Sequence, residues 1–137
     1  MNSINICIAG LGNVGSALVH LIEKNAELVR LKSELNINII GLSAKNITKK
    51  RNFNIEKYFW VDDPMNLLSI KDKKPNILIE LIGYEKDVSY ELVKSALNQK
   101  ISVVTGNKAM LAMHGNELFN IAEKNKVLLL FEAAVAG

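Results

Sequence analysis

A chain of 137 residues, 49% hydrophobic and 23% charged, has the composition of one soluble domain with a real core. Its formal net charge of +3 admits an anionic ligand. The clusters Lys49-Lys50-Arg51 and Lys71 with Lys73-Lys74 carry little aromatic interleaving and read as solvated surface, so nucleic acid is not the expected partner. No apolar run reaches the roughly 18 residues of a membrane span, and no basic leader with a small-residue cleavage site opens the chain. Cys7 is the single cysteine; no internal disulfide can form, its apolar strand predicts a buried, inert thiol, and a cytoplasmic location is the default.

Ile4 to Ala9 is a continuous apolar run with β-branched residues, the pattern of a parallel strand covered on both faces. Gly10, Gly12 and Gly15 follow it in G-x-G-x-x-G spacing and open a helix. In a dinucleotide site the first glycine allows the tight turn, the second lets a pyrophosphate approach the backbone, and the third lets helix and strand pack closely. The helix N–H groups then face the phosphates. Val14, Ala17, Leu18, Leu21 and Ile22 form the expected apolar stripe of that helix.

Asn36 to Ser43 reads as a second strand, followed by a polar, basic stretch from Ala44 to Asn54. Ile55 to Val61, with Tyr58, Phe59 and Trp60, fits a short helix or a flap on the domain edge. Asp63 as N-cap and Pro64 at the first helical position predict a short helix over Met65 to Ile70. Strands are expected over Ile77–Ile82, Ile101–Thr105 and Val127–Phe131, and a helix over Ser89–Asn98 with Val93, Ala96 and Leu97 inside. A last helix starts at Asn107, is expected to pause at Gly115 and resumes through Leu118, Ile121 and Ala122.

Strand–helix alternation predicts an α/β fold: a single domain with a Rossmann-type doubly wound parallel sheet. Five strands are counted, with expected order 3-2-1-4-5 and the ligand across their carboxyl ends. The second strand ends Gly41-Leu42-Ser43-Ala44-Lys45 with no Asp or Glu. A carboxylate there takes the ribose hydroxyls of NAD, whereas a cation accommodates the 2′-phosphate of NADP. Ser43 and Lys45, with Lys49, Lys50 and Arg51 close behind, therefore favour NADP(H), with NAD(H) as the alternative. Lys108 falls in the first turn of a helix at this same edge. A cation there opposes the helix dipole by roughly 0.3–1 kcal/mol, which invites a functional explanation. His20 and His114 show no ligand spacing, and His20 is expected on a helix exterior.

Three further stretches join the glycine turn: Glu80-Leu81-Ile82-Gly83, Val103-Val104-Thr105-Gly106-Asn107-Lys108-Ala109, and Phe131-Glu132-Ala133-Ala134-Val135-Ala136-Gly137. Together, over essentially the whole chain, they resemble the N-terminal NAD(P)-binding domain of homoserine dehydrogenase. Thr-x-Asn-Lys-Ala is the most specific part. The resemblance implies an oxidoreductase that interconverts L-aspartate 4-semialdehyde and L-homoserine with NADPH or NADH, in threonine and methionine biosynthesis. Lys108 would be its catalytic lysine, orienting the aldehyde and helping to protonate the alkoxide. Gly10, Gly12, Asn13, Val14, Gly15, Ser43, Lys45, Ile82, Gly83, Thr105, Asn107 and Lys108 would line the cofactor, with Thr105 and Asn107 shaping the turn at the nicotinamide ribose. The resemblance also implies a monovalent cation such as Na+ at Glu132, Val135 and Gly137. The partner is a small-molecule substrate, with neither nucleic acid nor membrane; a homo-oligomer is compatible.

Departures from the family pattern are Tyr84 where a second glycine is common, Gly106 where alanine is common, and length. The family continues into a dimerisation and substrate domain bearing an aspartate and a second lysine. The 137 residues alone are therefore expected to bind nucleotide with little or no turnover. The rival readings are a non-enzymatic dinucleotide sensor and another semialdehyde or dihydrodipicolinate-type reductase.

Overall fold

The computed structural model describes residues 2–45, 53–70, 73–83 and 86–132. The strands are β1 (Asn2–Ala9), β2 (Leu35–Ser43), β3 (Trp60–Val61), β4 (Ile77–Glu80), β5 (Ser102–Thr105) and β6 (Leu129–Phe131). The helices are α1 (Asn13–Ser33), α2 (Lys86–Asn98) and α3 (Lys108–Asn125). All six strands pair in parallel, in the order β3-β2-β1-β4-β5-β6.

The five-strand expectation needs correcting. The run at Ile77 lies beside β1, with Ile6 opposite Ile77 and Ala9 opposite Glu80, not outside β2. That edge belongs to Trp60 and Val61, opposite Leu42 and Ser43. Two residues leave no periodicity to read. The aromatic stretch is a 3₁₀ turn over Ile55–Lys57 followed by this short strand. Tyr58 and Trp60 pack with Leu42, Val19, Ile8 and Leu11.

Strand alternation sorts the core into two layers. Cys7 and Ala9 of β1 join Leu78 and Val103 beneath α2 and α3, against Leu92, Val93, Ala96, Leu97, Met110 and Leu118. Ile8 faces the other way, toward Val19 of α1. Burial pushes the Cys7 thiol up to about 12, so it stays protonated and unreactive at neutral pH.

α1 is turned about one residue from the expected stripe. Gly15 and Val19 are buried and Leu18 and Ile22 half-buried, while Ala17 and Leu21 are exposed. The i, i+3, i+4, i+7 rule holds, but it starts at Gly15 instead of Val14. The glycine is the only point on that turn of helix that can approach the end of β1 so closely.

Asp63 caps as expected, its side chain accepting from Met65 N at 2.9 Å. The element it starts is a 3₁₀ helix over Pro64–Leu68. Leu67, Leu68 and Ile70 are buried beneath the sheet.

The expected pause at Gly115 does not occur, since α3 runs through it unbroken. Packing of Met110, Leu118 and Ala122 outweighs a helix-interior glycine penalty of roughly 0.5–1 kcal/mol. A Cβ built at Gly115 meets nothing closer than Phe119 carbons at 3.9 Å. Gly115→Ala should therefore raise stability by about 0.5–1 kcal/mol. Urea unfolding checks this; a lowered midpoint contradicts the unstrained geometry.

Candidate functional site

The sheet brings the carboxyl ends of β1, β2, β4 and β5 to one edge, where the loops diverge on either side of β1. The chain leaves β1 through Gly10, whose φ of +99° suits glycine. A Cβ there would lie 2.6 Å from the Leu81 carbonyl oxygen. Gly10 N–H donates to Ser43 O at 2.8 Å, and Leu81 N–H donates to Ala9 O at 2.8 Å. The turn is thus tied to the ends of both β2 and β4.

The other two glycines meet opposite surroundings. A Cβ at Gly15 would sit 2.1 Å from the Gly10 carbonyl oxygen, whereas one at Gly12 would meet nothing within 4 Å. The third glycine is needed for packing; the second faces open space. Gly12 is also the N-cap of α1, without a side-chain cap, and the first turn carries no acidic residue. Asn13 and Val14 lie in that turn, Asn13 exposed. Backbone N–H groups there lack helical acceptors, and the helix dipole favours an anion. The arrangement fits a pyrophosphate.

At the end of β2 the two side chains proposed for a 2′-phosphate part company. Lys45 is exposed. Ser43 is buried, and its hydroxyl donates to Asp62 O at 3.4 Å. Ser43 serves the site through its carbonyl, which holds Gly10. Lys49, Lys50 and Arg51 lie outside the described residues, as does Tyr84.

On the far side of β1, Glu80 and Thr105 stand opposite each other in the β4–β5 register, and both are wholly buried. Thr105 Oγ1 donates to Glu80 Oε1 at 2.6 Å, and Ile82 N–H donates to Glu80 Oε2 at 2.7 Å. Thr105 Oγ1 also accepts from Asn107 N at 3.0 Å. Asn107 is the N-cap of α3: its Oδ1 accepts from Met110 N at 3.0 Å, and its Nδ2 donates to Ile82 O at 3.4 Å. The side chains of Thr105 and Asn107 are therefore spent on shaping the turn. Lys108, next in sequence, is the first residue of α3 and is exposed. Gly83 is exposed with open space about its Cα.

Glu80 opens one of the stretches quoted from the sequence but is given no role there. The available signal was an acidic side chain at the end of Ile77-Leu78-Ile79 in a strand expected to be covered on both faces. Such a group must find donors.

Glu132 follows β6, exposed, with its N–H donating to Thr105 O at 3.2 Å. Val135 and Gly137, its expected companions at a cation, lie outside the described residues. Among the described residues, no group of three or more His, Cys, Asp or Glu side chains gathers where a metal ion could be held. His20 is exposed, and His114 stacks on Tyr90 with ring centroids 3.9 Å apart. No helix of the described residues is long and apolar enough to cross a membrane.

The family model described as homoserine dehydrogenase, NAD binding domain, matches residues 10–132. The chain belongs to this family. The homoserine dehydrogenase of Neisseria gonorrhoeae is 36% identical over 137 residues, which is 100% of this chain and 31% of the relative. A crystal structure of the S. aureus homoserine dehydrogenase superposes with a TM-score of 0.87 at 34% identity, covering 98% of this chain and 33% of that one. A hyperthermophilic archaeal homoserine dehydrogenase in complex with NADPH gives a TM-score of 0.74 at 28% identity, covering 96% of this chain and 44% of that one. The chain thus spans about a third of the length of the homoserine dehydrogenases it matches first.

Within this homoserine dehydrogenase domain, Gly15 and Gly12 should separate packing from binding. Gly15→Ala forces a Cβ onto backbone and should cost at least about 2 kcal/mol. Gly12→Ala fills open space and should stay within about 1 kcal/mol of wild type. Thermal unfolding of both variants tests the pair; equal losses would contradict the assignment.

Proposed function

We propose that this chain is the cofactor-binding part of a homoserine dehydrogenase, taking NADP(H) across the carboxyl edge of the sheet. The observation that carries this is a glycine turn whose three positions do three different steric jobs, on the same edge as Lys108. The pyrophosphate rests over Gly12 on the α1 N-terminus, with Asn13, Val14 and Gly15 completing that turn. Lys45 meets the 2′-phosphate. Ile82, Gly83 and the Thr105–Lys108 turn bound the nicotinamide end.

When bound, the nicotinamide supplies or accepts the hydride exchanged with the carbonyl carbon of L-aspartate 4-semialdehyde. Lys108 orients the carbonyl oxygen and provides the proton that turns the developing alkoxide into the hydroxyl of L-homoserine. General acid assistance of this kind is worth typically about 10²–10⁴-fold. Thr105 and Asn107 are positioning residues, their polar atoms committed to the turn. The substrate itself would be held by residues from the remaining length of such an enzyme, so this chain alone is expected to bind cofactor with little turnover.

NAD(H) is the second reading, and one observation favours it. Asp62, exposed just beyond β3, lies beside the buried Ser43. Its carboxylate is a candidate partner for ribose hydroxyls. Titration of NADPH and NADH against Lys45→Ala and Asp62→Ala decides between them. NADP(H) use predicts that Lys45→Ala weakens NADPH about tenfold, the loss of roughly one charge-assisted bond, with NADH little changed. If NADH instead binds more tightly to wild type and Asp62→Ala weakens it, the NAD(H) reading replaces the first. Gly12→Ala should weaken both nucleotides; unchanged binding would remove the pyrophosphate from this turn.

A further inference from the structure

Glu80 is wholly buried, and both its carboxylate oxygens act as acceptors. Burying a carboxylate is expensive even with two donors, and replacing such a group by a well-packed apolar one is often neutral or stabilising. A core that wanted only adhesion between β4 and β5 would do better with leucine here. The hydrogen bonds around Glu80 form a closed circuit. Glu80 holds Thr105, Thr105 holds the Asn107 N–H, Asn107 holds the Ile82 carbonyl, and the Ile82 N–H returns to Glu80. A second tie joins Gly106 N–H to the Glu80 carbonyl at 3.0 Å. The loop after β4 and the loop after β5 are thereby one body, and Asn107 fixes the first turn of α3 to it. Apolar packing through Met110 and Leu118 seats α3 on the sheet, and this circuit adds a hydrogen-bonded tie from its N-cap, Asn107, to the Ile82 backbone.

We propose that Glu80 is a positioning residue that sets Lys108 and the Ile82–Gly83 loop against the nicotinamide half of the cofactor. The inference rests on the reading of this edge as an NADP(H) site. Its chemistry fixes what a substitution does. Glu80→Gln can still accept from the Ile82 N–H, but its amide NH₂ then points at Thr105 Oγ1. The hydroxyl must turn to accept, and the Thr105 proton loses its partner. The link to Thr105 is reversed and the hydroxyl proton is left without an acceptor, while shape and volume stay nearly the same. Thr105→Val removes the same bond to Glu80 and also the acceptor of the Asn107 N–H.

The test compares two ligands on the 137-residue chain: NADPH, and 2′-phospho-ADP-ribose, which lacks nicotinamide. Calorimetry or fluorescence gives both affinities for wild type, Glu80→Gln, Thr105→Val and the double variant. Positioning predicts that Glu80→Gln loses about tenfold in NADPH affinity, the scale of one hydrogen bond to a charged group, and that Thr105→Val, which removes two bonds, loses at least as much. Binding of 2′-phospho-ADP-ribose stays unchanged, and the double variant is no worse than Thr105→Val alone, because both substitutions act on one circuit. A purely structural Glu80 predicts that both ligands weaken together, or that neither does, and either result overturns the proposal. If wild type binds neither ligand, the NADP(H) reading itself fails and the proposal with it. If wild type binds both and Glu80→Gln behaves like wild type, only the positioning role fails. Should Glu80→Gln not fold, Thr105→Val carries the same comparison.

Discussion

The contact between Gly15 and the Gly10 carbonyl is the constraint on which the site depends. It is closer than any side chain would allow. It draws the first turn of α1 against the end of β1, in keeping with the rotation of the helix face from Val14 to Gly15. It also decides where the N–H groups of that turn stand. They crown the edge between β1 and β4, where the chain divides to either side and a crevice opens. Gly10 makes the approach feasible by taking a backbone conformation foreign to other residues. Its own N–H is held by Ser43 O, so the end of β2 supports the turn.

Two kinds of interaction build the two ends of the crevice. At the Gly10–Gly15 end the material is backbone: glycines, N–H groups and a carbonyl. A ligand carrying its own charge needs little else. At the other end the material is side chain, and it is buried. Glu80, Thr105 and Asn107 bond to one another and to the Ile82 backbone. That division suits a cofactor with a charged, generic handle at one end and a reactive ring at the other. The ring has to be placed accurately, and a hydrogen-bonded circuit fixes loops more rigidly than apolar contact does.

Much of this was legible from residues. The separate duties of Gly10, Gly12 and Gly15 follow from spacing after an apolar strand, and the Cβ environments agree with them one by one. Asp63-Pro64 announced its own cap. Val93, Ala96 and Leu97 marked the buried face of α2 correctly. The failures share a cause, in that each depended on a partner distant in sequence. Trp60 and Val61 are a strand only because the end of β2 lies beside them. Gly115 looks like a break until α3 is seen packed through Met110, Leu118 and Ala122. Ser43, singled out for its place at the end of β2, has its hydroxyl turned to a partner that local sequence does not show. That partner is the carbonyl of Asp62, 19 residues away.

Glu80 shows the converse, a long-range feature that left a local trace. An acidic residue closing an apolar run in a doubly covered strand is a contradiction at the level of pattern, and such contradictions concentrate where function is served. The register sets Thr105 opposite it, and Thr105 is the first residue of the Thr-x-Asn-Lys stretch. Two of the stretches quoted from the sequence are thus physically joined. Lys108 has a position worth fixing because it begins a helix whose dipole disfavours a cation there. Without the circuit, fraying of the first turn would relieve that conflict by letting the lysine drift outward. With Asn107 capping α3 and Glu80 bonded to Asn107 through Thr105, the start of the helix, and with it the backbone of Lys108, is anchored at this edge of the sheet.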